Sequence, residues 1–127
     1  MGSFKFTLDP NRNLLYTQYF GVLEVEDFTA CVAQGNAQYP GLDSIVDFTE
    51  ASMVNISQQD IASLVQFATL HEPKNINAAL VAAGHLEFGL VRMFDSRANT
   101  TLPQNRAVFR SLEEAEQWMD EQRKGVG

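Results

Sequence analysis

The chain has one cysteine, Cys31, so no internal disulfide can staple it. No apolar stretch approaches the ~20 residues that a membrane-spanning helix needs, which excludes integral membrane association. The amino terminus has no basic segment followed by an apolar run, so no signal peptide is expected. Phe6 stands where the myristoylation pattern needs Ser or Thr. The expected setting is therefore a reducing cytoplasm, with Cys31 as a small core residue. Basic residues are scarce too. Nine of them face sixteen acidic ones, giving a net charge of −7. Without a basic cluster, phosphate neutralisation cannot drive nucleic-acid binding.

Catalytic signatures are also missing. There is no Gly-x-Ser-x-Gly elbow, no phosphate loop and no Gly-x-Gly-x-x-Gly turn, so no nucleotide cofactor is expected. His71 and His85 lack metal-pair spacing, and there is no cysteine cluster, so no metal is expected. The same absences give the expectation of a non-enzymatic protein.

The sequence does hold one domain, residues 1–127, with 45% hydrophobic residues and nine Phe to build a core. Phe4-Lys-Phe-Thr-Leu8 alternates as a half-buried strand does. Turn residues Asp9 to Asn13 join it to Leu14–Phe20, as an antiparallel hairpin. A helix is predicted over Val25–Ala37 and a strand over Ser44–Phe48, followed by a loop from Thr49 to Ile56. Ser57 and Asp60 resemble a capping box opening a helix to about His71. The apolar run Asn77–Ala83 reads as a central strand. The helix after Gly84 is expected to bury Leu86, Leu90 and Met93, with Gly89 giving close approach to the sheet. Arg106–Arg110 is the last strand. Ser111 and Glu114 cap a final helix with Leu112, Ala115, Trp118 and Met119 as its core stripe, and a frayed tail from Gln122. The order is ββαβαβαβα. Right-handed crossovers make the last four strands parallel, with the first antiparallel.

This order resembles the SpoIIAA-like, or STAS/SEC14-like, bacterial domains. Ile45-Val-Asp-Phe48, Ala79-Leu-Val-Ala82, Phe88-Gly-Leu-Val-Arg-Met-Phe94 and Val108-Phe-Arg-Ser-Leu-Glu-Glu-Ala115 followed by Trp118 carry the resemblance. It implies an α/β fold, a STAS-like βα superhelix with a mixed five-stranded sheet and four helices. It also implies a regulatory or protein-interaction module, or a small-molecule or lipid carrier of the SEC14 kind. The antagonists among these proteins are phosphorylated on a Ser at the start of the second helix. Ser57 lies near that place, but the Asp-Ser-Ser/Thr-Gly signature is absent.

Open α/β sheets bind ligands beyond the carboxyl ends of their strands. Thr49, Glu50, Ser52, Met53 and His85 are expected to converge there. Arg92 reads either as an ordinary surface residue bonded to Asp95 or Ser96 or as an anion or partner contact. A protein partner or a small apolar or anionic ligand fits this surface, and a homodimer fits the hairpin edge or the half-covered sheet face.

Overall fold

The computed structural model describes residues 2–124. Its elements are β1 (Ser3–Asp9), β2 (Leu14–Val22), α1 (Val25–Gln38), β3 (Asp43–Ser52), α2 (Gln58–His71), β4 (Asn77–Val81), α3 (His85–Ala98), β5 (Asn105–Phe109) and α4 (Leu112–Lys124). The strands form one sheet in the order β1-β2-β3-β4-β5. β1 is antiparallel to β2, and the other pairs are parallel. This is the expected ββαβαβαβα arrangement.

Local chemistry accounts for the element ends. The Asp9 carboxylate accepts the backbone N–H groups of Asn11 and Arg12, which folds the hairpin turn. Asn13 then takes the left-handed conformation (φ 52°) that Asn tolerates. At α2, Ser57 Oγ accepts the Asp60 N–H at 3.0 Å, while Asp60 accepts the Ser57 N–H at 2.9 Å. That reciprocal pair is the capping box read from the sequence.

β3 does not stop at Phe48. Its pairing with β2 shifts register between Gln18 and Phe20, so Phe48 and Thr49 together lie opposite Tyr19. Asp47 Oδ1 accepts the Thr49 N–H at 2.9 Å and holds this irregularity. Beyond it, Glu50, Ala51 and Ser52 pair with Phe20, Gly21 and Val22. The stretch expected to be loop is thus half strand, because the long β2 offers it partners.

Alternation sorts side chains onto two faces. One face carries Thr17, Tyr19, Val46, Phe48 and Leu80 and is covered by α1, α2 and α3. The other carries Leu14, Tyr16, Ile45, Ala79, Val81 and Phe109 and meets α4 alone. There Ala79 and Ala115 are fully buried, so small side chains let α4 lie close to the sheet.

Four expectations need correction. Leu86 and Leu112 are exposed, because each sits in the first turn of its helix before the apolar stripe begins. Gly89 does not approach the sheet; a Cβ there would meet nothing within 4 Å. α4 runs through Lys124, because Arg123 pairs with Asp43 at 3.5 Å and also donates to the Arg12 carbonyl. The remainder of the expected tail, 125–127, lies outside the described residues. Arg92 does not pair with Asp95. Asp95 instead accepts from Arg106 at 2.9 Å, and the Arg92 guanidinium stands 5.8 Å from the Phe88 ring.

The Arg106 side chain is 1% exposed. It donates further to the Leu102 carbonyl, Gln104 Oε1 and Asn99 Oδ1, tying α3, the following loop and β5 together. Removing one partner of a buried pair strands the other charge. Asp95→Ala is expected to cost about 3 kcal/mol in urea unfolding; an unchanged midpoint would contradict this. Gly89→Ala is expected to raise stability by about 0.5–1 kcal/mol, since it adds helix propensity in open space. A lower midpoint for that variant would show a packing role instead.

Candidate functional site

Between the sheet and the α1–α2 layer lies a partly enclosed cavity of about 150 Å³. Three aromatic rings define its inner wall. Tyr19 stacks on Phe48 with centroids 4.8 Å apart and planes at 14°, and Phe28 of α1 lies 5.3 Å from Tyr19. These rings are too thick for α1 to settle onto the strands as α4 settles on Ala79. The cavity runs from Phe48 and Met53 toward Leu42, Ser44 and Ile76, at the amino ends of β3 and β4. On the helical side Cys31 and Gly35 of α1 face Leu64 and Ala68 of α2.

Few polar groups interrupt this lining, and they differ in what they can do. Cys31 is buried, which pushes its thiol up to about 11; a hydrogen bond with Tyr19 only partly offsets this. The Tyr19 hydroxyl is raised well above its ordinary range, again mainly by burial. A protonated thiol is a poor nucleophile. Asn36 donates its side-chain amide to the His71 carbonyl and is committed to holding α1 against α2.

Glu72 is different. It is the C-cap of α2, the helix end at which a carboxylate opposes the macrodipole. It is partly buried and lines the cavity. Loss of solvent pushes its carboxyl up from 4.5 to about 7, and the Arg106 charge only partly counters this. Glu72 and Cys31 escaped the sequence reading as site residues. The available signal was an acid directly after a helix-ending His71 and before Pro73, the wrong charge for that position.

The residues singled out from the sequence do not all meet. Met53 is buried and lines the cavity. Thr49 and Glu50 are exposed on the extended end of β3, and Ser52 Oγ accepts the Val54 N–H. His85 is exposed as the first residue of α3, and Arg92 is exposed on the same helix. Arg110 stacks on Phe88 at 3.9 Å, so two guanidinium groups share that ring. Among the described residues neither arginine forms a salt bridge. Ser57 is exposed, with its hydroxyl engaged in the α2 cap beside the Asp60 carboxylate.

A second cluster joins the hairpin to α4. The Tyr16 hydroxyl donates to Glu116 and accepts from Arg12, and burial holds that phenol up at about 12. Arg12 also pairs with Asp9 at 2.8 Å and Asp120 at 3.5 Å. This arrangement clamps the turn and offers no free base. Among the described residues, no group of three or more His, Cys, Asp or Glu is placed to hold a metal ion.

Glu72 makes stability depend on pH. Its proton is held more tightly in the folded chain than in the unfolded one. Its stabilisation is therefore complete below about pH 4.5 and is lost as pH rises through about 7. Glu72→Gln is expected to melt at a higher temperature than the parent at about pH 8, with the gap closing at about pH 4. A gap that is the same at both pH values would contradict the raised carboxyl.

No family model matches the chain, and no curated protein matches it. A solved structure does match. It is that of an uncharacterised protein from the DUF3478 family, with a SpoIIAA-like fold, from Shewanella loihica PV-4. The two share 18% sequence identity with a TM-score of 0.58, over 94% of this chain and 95% of that one. At this identity the likeness speaks for architecture alone. With the strand order and helix placement above, it establishes that this chain has the SpoIIAA-like α/β fold.

Proposed function

We propose that the chain is a cytoplasmic, non-enzymatic binding module that holds a small apolar molecule between the α1–α2 layer and the sheet. The observation that carries this reading is the cavity of about 150 Å³ walled by aromatic and aliphatic side chains. An apolar cavity of ~150 Å³ stays dry and accepts a molecule of benzene size. A chain adapted only for stability would close such a space, because each cubic ångström of void costs about 24 cal/mol. The lack of an activated nucleophile supports binding over catalysis. The Cys31 thiol is held protonated, and both histidines are exposed, His71 against Phe67 and His85 at the start of α3.

A second reading is regulation through contact with a protein partner. What favours it is the Arg92–Phe88–Arg110 group, two arginines outside any salt bridge among the described residues of an acidic chain. The phosphoswitch at Ser57 has less support. The hydroxyl is engaged in the cap, and a phosphate there would meet the Asp60 carboxylate.

Toluene tests the binding reading. Ligand-detected NMR is expected to show saturable binding with a dissociation constant of about 1 mM or tighter, which corresponds to about −4 kcal/mol. Ala68→Leu, which places a larger side chain at the cavity wall, is expected to abolish that binding while the thermal transition stays cooperative. Toluene bound equally well by a folded Ala68→Leu protein, or not bound by the parent, would contradict the reading.

A further inference from the structure

Arg92 and Arg110 are both exposed, yet they converge on one ring. The Arg110 guanidinium stands 3.9 Å from the centre of the Phe88 ring, and that of Arg92 stands 5.8 Å from it. Phe88 packs against the larger core, so its ring is a fixed platform. The two cations therefore lie no farther apart than the Debye length at 0.1 M salt, about 10 Å, and repel each other.

The acids closest in sequence are engaged elsewhere or stand apart. Asp95 pairs with Arg106, Glu87 accepts the Met53 N–H at 2.9 Å, and Glu114 accepts the Ser111 hydroxyl. Among the described residues, Glu113 forms no salt bridge with either arginine. Contact with a ring uses the flat face of a guanidinium and leaves its in-plane N–H groups free. Arg110 commits one of them to the Ala83 carbonyl, at 3.4 Å, which helps to fix its direction. Arg110 directly follows β5, and Phe88 lies near the start of the helix after β4. None of the three residues lines the cavity.

We propose, on the protein-contact reading above, that this surface docks an acidic segment of a partner protein, with one carboxylate on each guanidinium. A carboxylate can accept two parallel N–H bonds from a guanidinium. Carboxylates three or four residues apart share one face of a helix and can engage both arginines at once. Ring contact orients the guanidinium groups before the partner arrives, which lowers the ordering cost of binding. A single small anion would gain only exposed ion pairs, each worth little. Two arginines in a chain of net charge −7 are too few for a nucleic-acid backbone. The same net charge confines the attraction to close range, where these two cations dominate the local field.

Two blocked, alanine-rich helical peptides test this, alike except for Glu or Gln at two positions four residues apart. Each is titrated into the protein at about 20 mM salt, where exposed charges are weakly screened, and followed by NMR. The Glu peptide is expected to move the Phe88 amide and the Arg92 and Arg110 Nε–H signals. It is expected to bind about fivefold or more tightly than the Gln peptide. That preference is expected to shrink at about 0.5 M salt. It is expected to vanish in the double variant Arg92→Gln, Arg110→Gln, which keeps its thermal transition because both positions are exposed. Equal docking of the Gln peptide at Phe88 would overturn the acidic chemistry and leave the protein-contact reading standing. Inorganic phosphate or a thymidine oligonucleotide binding there as tightly as the Glu peptide would overturn the proposal in favour of a phosphate site. Neither peptide moving these signals would overturn the proposal together with the protein-contact reading.

Discussion

The stacked pair of Tyr19 and Phe48 sets the spacing on which the rest of the molecule depends. Both rings rise from the sheet at the register shift where β3 has one residue more than β2. Phe28 leans on them from α1, at 5.3 Å from Tyr19 and 6.0 Å from Phe48. The helix layer is therefore supported on rings at one end. Toward the amino ends of β3 and β4 the lining includes the small or polar Gly35, Ser44 and Ala68, and a gap is left open. A well-packed interior has few voids larger than a water molecule, so a space of about 150 Å³ in so short a chain requires a cause. The cause is this mismatch of side-chain size along one interface.

The opposite face shows what the same sheet does without that mismatch. Ala79 and Ala115 meet with no exposed surface, Met119 fills the remaining space, and Trp118 covers Phe109 with centroids 5.8 Å apart. The Arg12–Tyr16–Glu116 cluster and the Arg123–Asp43 pair then fix α4 at its edge. One face is thus a closed structural interface and the other holds the site. The buried Arg106 belongs to the face that holds the site. It secures β5 against α3, and its charge moderates Glu72.

The architecture was legible because it depends on periodicity. Alternation in Phe4–Leu8, the unbroken apolar run Asn77–Val81 and the Ser57–Asp60 box each state a local preference that the tertiary fold does not overrule. The site was far less legible. Carboxyl ends of strands are the usual place for ligands in open α/β sheets, and Thr49, Glu50 and His85 do lie toward that end. The cavity instead reaches toward the amino ends, because its position follows from side-chain sizes across three helices and four strands. No window of sequence contains that comparison. Asp47, an acid inside β3, accepts the backbone N–H of Thr49. Arg92 and Asp95 show the same limit, since a plausible three-residue pairing loses to Arg106 eleven residues away.

The central claim is that the space above Tyr19 and Phe48 is where this protein binds. Carbon-13 methyl NMR tests it most directly, with toluene added stepwise to the folded protein. The account predicts shift changes at Met53, Ile61 and Ala68, which line the cavity, with Ala79 and Met119 beneath α4 unmoved. Shifts centred on Ala79 and Met119, or none at Met53, Ile61 and Ala68, would contradict it.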